Sequence, residues 1–204
     1  PYMTLYEYTG DSHLVDWGTS SHERTAFGFR RRLAVENVDT NENEKTRANQ
    51  LLELADLARA FPDIPIVLNH IGGLVAHTRT YTSRKAEAIE VWRKGITELA
   101  KCSNVYVKLG GLGMPYLGLG HDKLPVPASS ETLAQAWGPF YQHCIEAFGA
   151  KRCMFESNFP PDRDSCDFHV IWNAFKRIAA TCSADEKHEL FFGTANRVYK
   201  LNIS

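Results

Sequence analysis

Glu156, Ser157 and Asn158 close a short apolar run, Cys153-Met154-Phe155, and are followed at once by Phe159 and two prolines. A carboxylate two residues from an amide can take a proton from water while the amide holds that water. His70 stands in a similar position, at the end of IPIVLN (residues 64–69) and just before Gly72-Gly73. An imidazole there can move a proton, polarise a carbonyl or ligate a metal. Lys108 lies near the end of a third apolar run, NVYVKL (104–109), and would bring a positive charge. Two further residues are candidates for substrate contact. Arg163 has a planar fork that suits a carboxylate, and His121 lies in a loop placed to cover a pocket.

Such chemistry needs elements that bring separate segments together. Leu51, Leu54, Leu57 and Ala58 recur at helical spacing and stop before Pro62. Ile89, Trp92, Ile96 and Leu99 share one helical face within 84–101, as do Leu133, Trp137, Tyr141, Cys144 and Phe148 within 130–148. Gly149 follows where a helix often ends in a left-handed residue. Phe168, Ile171, Trp172, Phe175 and Ile178 predict another helix, and Ser183 to Glu186 is a capping box opening a short last one. With strands at 64–69, 104–109 and 152–156, the order from residue 48 is α-β-α-β-α-β-α-α. That is an α/β fold with parallel strands and right-handed crossovers. Ligands bind such sheets at the C-terminal strand ends, where His70, Lys108 and Glu156–Asn158 fall. Strand alternation would turn Glu156 and Asn158 to one side if the last strand runs that far.

Residues 1–47 show no sustained period and are read as an irregular segment before the regular unit at 48–204. Within it, Asp39 to Lys45 reads as a polar loop or a disordered link. Tyr2, Leu5, Tyr6 and Tyr8 suggest an isolated strand, and Arg30, Arg31 and Arg32 a solvated basic face. Gly110, Gly111 and Gly113 read as turn chemistry, since no lysine and helix start follow as a phosphate cradle requires. Cys166 has no neighbouring base to activate it.

The chain has 204 residues, 44% of them hydrophobic, enough for one sizeable core. A net charge of −1 argues against nucleic acid or an anionic membrane as partner, and leaves a small molecule as the expected one. No run of about 18 apolar residues is present, so no membrane span is expected. Five cysteines without a CxxC pair suit buried, reduced thiols and a cytoplasmic setting. Whether copies associate is left open.

Four pieces together resemble the amidohydrolase-related family of (β/α)8 TIM barrels, which includes metal-dependent hydrolases, lactonase-like enzymes and decarboxylases. They are LARAFPDIPIVLNHIGG (57–73), NVYVKLGGLGMP (104–115), AFGAKRCMFESNFPPD (147–162) and FFGTANRVYKL (191–201). They stand in the family's order and spacing. A whole barrel takes about 250 residues, so the resemblance implies a partial barrel made of the C-terminal βα units. It implies a hydrolase of a small carboxylated lactone or cyclic ester, with a decarboxylase of the same fold or a truncated inactive homologue as alternatives. By the same resemblance His70 binds a divalent metal, zinc or manganese, or polarises the substrate carbonyl, and Lys108 reaches the pocket from the seventh barrel strand. Asn158 stands where most relatives carry an aspartate that is metal ligand and general base. Two departures follow. A neutral amide replaces that carboxylate, and none of the eight histidines forms the His-x-His pair of the family's first strand. A metal-free route therefore stands beside the metal one, with Glu156 as substitute base.

Overall fold

The computed structural model describes residues 27–29, 41–73, 85–114 and 119–203. Four short strands form one sheet in the order β1 (Phe27–Phe29), β2 (Ile66–Leu68), β3 (Val105–Leu109) and β4 (Cys153–Phe155). Every neighbouring pair is parallel, with Val67 opposite Tyr106 and Lys108 opposite Met154. Between β2 and β3 lies α2 (Lys85–Leu99), and between β3 and β4 lies α3 (Ser130–Phe148). Helix α1 (Asn41–Ala60) precedes β2, and α4 (Phe168–Ile178), α5 (Ala184–His188) and α6 (Thr194–Tyr199) follow β4. This is an α/β arrangement consistent with part of a TIM barrel.

The period-2 alternation of the strands separates two environments. Ile66, Leu68, Val105, Val107, Leu109, Cys153 and Phe155 are buried with the helices in the main core. Val67, Met154 and Val198 form a second, small cluster on the other face, with Tyr106, Ala195 and Tyr199 against it. Lys108 lies on that second face, one residue from each of two core positions.

Helix ends are set locally. The Ser129 hydroxyl accepts from the Thr132 N–H to start α3, and Ser183 and Glu186 form the expected capping box of α5. Gly149 ends α3 at φ 77° and ψ 151°, outside the left-handed helical well but still a conformation that favours glycine. Arg152 then ties the layers together. Its guanidinium donates to the carbonyls of Ala100, Cys102 and Phe148, fastening the end of α2 and the entry to β3 onto the end of α3.

The main difference from the sequence reading lies near the front. Helix α1 starts at Asn41, inside the polar run read as a loop, and β1 lies in a segment without period. Glu and Lys are good helix formers, so an apolar period that begins only at Leu51 conceals the first turns. β2 and β4 are as short, but they lie in longer apolar runs, whereas β1 is Phe27-Gly28-Phe29 followed directly by three arginines. The tyrosines at 2, 6 and 8, the arginines at 30–32, and His13, His22 and His77 lie outside the described residues. No described helix is long and apolar enough to cross a membrane. All five cysteines are free, and four of them are buried.

Candidate functional site

β2, β3 and β4 run in the same direction, so residues at or just past their C-terminal ends share one rim. There the Nδ1 of His70 lies 2.5 Å from Oε1 of Glu156, and the Nζ of Lys108 lies 3.3 Å from Oε2. One carboxylate thus holds an imidazole with one oxygen and an ammonium with the other. The three side chains are largely buried, at 16% exposure for His70 and Glu156 and 26% for Lys108. Burial alone would push the Glu156 carboxyl up, but the His70 hydrogen bond and the charges of His70 and Lys108 outweigh it and hold its pKa below the ordinary value. An ionised carboxylate only accepts, so Nδ1 carries the hydrogen, and in the neutral form of the ring Nε2 is left as the reactive nitrogen. Burial likewise pulls the Lys108 ammonium down, while Glu156 and Tyr199 raise it more, so it stays charged. The Tyr199 ring centre lies 5.8 Å from Nζ.

The backbone around these groups is held under strain. His70 and Ile71 have φ of 50° and 49°, and Asn158 has φ 50°. A left-handed residue other than glycine costs about 1–2 kcal/mol. Packing braces Ile71 and the strand end that precedes Asn158. Ile71 is fully buried and its carbonyl accepts from Trp92 Nε1 at 2.8 Å, while Phe155, next to Glu156, stacks on Phe175 with ring centres 4.6 Å apart.

The loop after β3 is the bed on which the site lies. A Cβ added at Gly110 would stand 2.2 Å from Glu156 Cγ, and one at Gly111 2.7 Å from the His70 ring. At Gly113 it would stand 2.8 Å from Asp162 Cγ. These glycines are therefore more than turn chemistry: their missing side chains are the space occupied by three polar residues.

Asp162 is the residue that sequence reasoning missed. It is fully buried, accepting from Asn158 Nδ2 at 2.6 Å and from the Gly113 N–H at 3.3 Å. Burial pushes its pKa up to about 6 despite those two hydrogen bonds and the His70 charge, with Glu156 adding to the upward push. An acid directly after two prolines reads as a turn residue, and only the folded loop shows its neighbours. Tyr199 was also missed, although it stands in the last of the four family-like pieces.

The structure brings His70, Lys108, Glu156 and Asn158 to one rim, but not by the expected route for the last pair. β4 stops at Phe155, so strand alternation never reaches Asn158, and a left-handed turn places its amide instead. Arg163 sits on the short helical turn Pro161–Asp164 with its side chain 73% exposed, paired only loosely with Asp164 at 3.7 Å. His121 is buried with its ring edge-on to Trp137, centres 5.8 Å apart, packing against the core rather than lying open on a loop. Cys166 is buried and its thiol is pushed up to about 12, which leaves it protonated and unreactive.

The described residues do not fit a divalent cation. No group of three His, Cys, Asp or Glu side chains is placed to hold one among them. Both Glu156 oxygens are engaged, an ammonium stands beside the second, and position 158 is a neutral amide turned to Asp162.

Two outcomes follow. Gly110→Ala lowers the unfolding free energy by about 1–3 kcal/mol, because Glu156 Cγ and its carbonyl must move; denaturant melting reads this out. For Asp162 the folded pKa is raised from 3.8 to about 6, so the native state holds the extra proton. The associated stability is full below about pH 4 and lost as pH rises through about 6, roughly 3 kcal/mol over the window. Glu156, whose pKa is lowered, acts on the acid side of its ordinary range. The stability of wild type minus that of Asp162→Asn therefore declines between pH 4 and 7, and a flat difference would contradict the burial described.

Residues 12–201 match the amidohydrolase family. The uncharacterized protein y4mH of Sinorhizobium fredii is 35% identical over 152 residues, which are 74% of this chain and 44% of the relative. The chain thus spans less than half the length of that curated relative. Among solved structures, an amidohydrolase from Burkholderia multivorans with bound zinc has a TM-score of 0.65 and 21% identity. The same protein with bound HEPES gives 0.67 and 21%, each covering 93% of this chain and 70% of the other. At that identity the likeness shows the fold, and with the family match across most of its length, this chain belongs to the amidohydrolase family.

Proposed function

We propose that the rim cluster hydrolyses a small carboxylated lactone or cyclic ester. The observation that carries this reading is the single Glu156 carboxylate holding His70 and Lys108 at once. With Nδ1 tied to Glu156, Nε2 of His70 accepts a proton from water as that water attacks the carbonyl carbon. Glu156 stabilises the imidazolium that forms, so it supports the base instead of serving as the base itself. The Lys108 ammonium stabilises the oxyanion. As the intermediate collapses, the ring C–O bond breaks and the imidazolium returns its proton to the leaving alkoxide, giving a hydroxy acid. Asn158 holds the water, and Arg163, exposed on the turn after β4, is the cation that meets the substrate's carboxylate.

In this reading Lys108 supplies the positive charge that a metal supplies elsewhere. Purified protein is assayed on a panel of carboxylated lactones, with and without chelator. Hydrolysis that falls by about 10²–10⁴-fold in His70→Ala and is unaffected by chelator is the expected result. An unchanged rate in His70→Ala sinks the mechanism, and a chelator-sensitive rate removes Lys108 from its role. Carbon dioxide in place of a hydroxy acid moves the reading to a decarboxylase of the same fold.

A further inference from the structure

We propose that Asp162 is a positioning residue: it fixes the Asn158 amide so that the carbonyl oxygen, and not the N–H, faces the site. The proposal rests on the functional reading above only in naming water as the donor that this oxygen receives.

An asparagine amide has two nearly isosteric edges, and the network around it decides which edge points where. Asn158 is half-buried in the turn after β4. Its Nδ2 lies 2.6 Å from Asp162 Oδ1, and its Oδ1 has no hydrogen-bond partner among the described residues. Flipping the amide would press two acceptor oxygens together and forfeit a charge-assisted hydrogen bond in a site with little water to compensate.

Asp162 can hold this orientation because it is itself immobilised. Its second oxygen accepts from the Gly113 N–H at 3.3 Å, and the Gly113 carbonyl in turn accepts from Ser165 Oγ at 2.6 Å. The Asp162 N–H donates to the Asn158 carbonyl at 3.2 Å, so the two residues are joined by backbone as well as side chain. The side chain is fully buried, and the absent Cβ of Gly113 provides its space.

Position 158 therefore presents lone pairs as a carboxylate oxygen would, while above pH about 6 the negative charge lies one layer deeper, on Asp162. The acceptor is kept and the charge is moved away from the mouth. A site built this way binds a donor such as water, a hydroxyl or an amide N–H at position 158.

The test is the side-chain amide spectrum of Asn158 in the ¹⁵N-labelled chain, assigned through its own backbone. The expected result is one Nδ2 proton shifted downfield and protected from solvent exchange, with both features lost in Asp162→Asn. An ordinary, exchanging amide in wild type overturns the proposal, and so does a shifted signal that Asp162→Asn leaves unchanged. If that variant does not fold, the wild-type spectrum alone decides between the two outcomes. In turnover, Asp162→Asn lowers kcat by up to about 100-fold with little change in KM. The double variant Asn158→Asp with Asp162→Asn, which moves the carboxylate back to the mouth, recovers most of the loss. No recovery would mean that Asp162 only supports the 110–114 loop. If wild type opens no lactone on the panel, the functional reading fails while the spectrum still decides the orientation of Asn158.

Discussion

The Glu156 carboxylate is shared between an imidazole and an ammonium, and the rest of the molecule is arranged to make that sharing feasible. Three partly buried ionisable groups in one place are costly unless each finds a partner. Here one anion serves two cations or donors, and both of its oxygens are used. Parallel β2, β3 and β4 end on the same rim, and the aromatic stack at Phe155 fixes the point where the chain leaves β4. The glycines after β3 clear the volume that the polar groups fill.

The site also stores unfavourable terms that the core has to offset. Left-handed backbone at His70, Ile71 and Asn158 and a buried carboxyl at Asp162 all lower stability. They cluster within a few residues of the proposed chemistry, while Arg152 and the aromatic cluster around Tyr141 and Phe175 consolidate the scaffold behind it. Such concentration of strain in one spot is what a functional site in a packed domain looks like.

Much of the fold was legible in the sequence because its signals are periodic. The Leu133–Phe148 face, the Ser183 capping box and the three apolar runs became α3, α5 and β2 to β4 with boundaries close to those expected. What the sequence concealed lacks a period. The first turns of α1 carry helix-forming polar residues, and β1, with a glycine at its centre, is not set in a longer apolar run. At the site, His70, Lys108 and Glu156 could be found because each stands at or near the C-terminal end of a strand. Asp162 could not, since its meaning comes from contacts across a turn with Asn158 and across 49 residues of chain with Gly113. Asn158 was found through the family-like motif at the end of the third apolar run; only the expectation that alternation would turn it to the side of Glu156 does not hold, because β4 ends at Phe155 and a left-handed turn does the placing.

The arrangement also accounts for the departure at position 158. An amide there would be a poor substitute for a carboxylate on its own, but behind it stands Asp162, which accepts from its Nδ2, and on the same rim the ammonium of Lys108 is held by Glu156. The central claim is that Glu156 sets the tautomer of His70. Long-range ¹H–¹⁵N correlation on the neutral imidazole measures this directly. Hydrogen on Nδ1 with Nε2 bare in wild type, and loss of that preference in Glu156→Gln, is the predicted result; hydrogen on Nε2 in wild type would contradict the account.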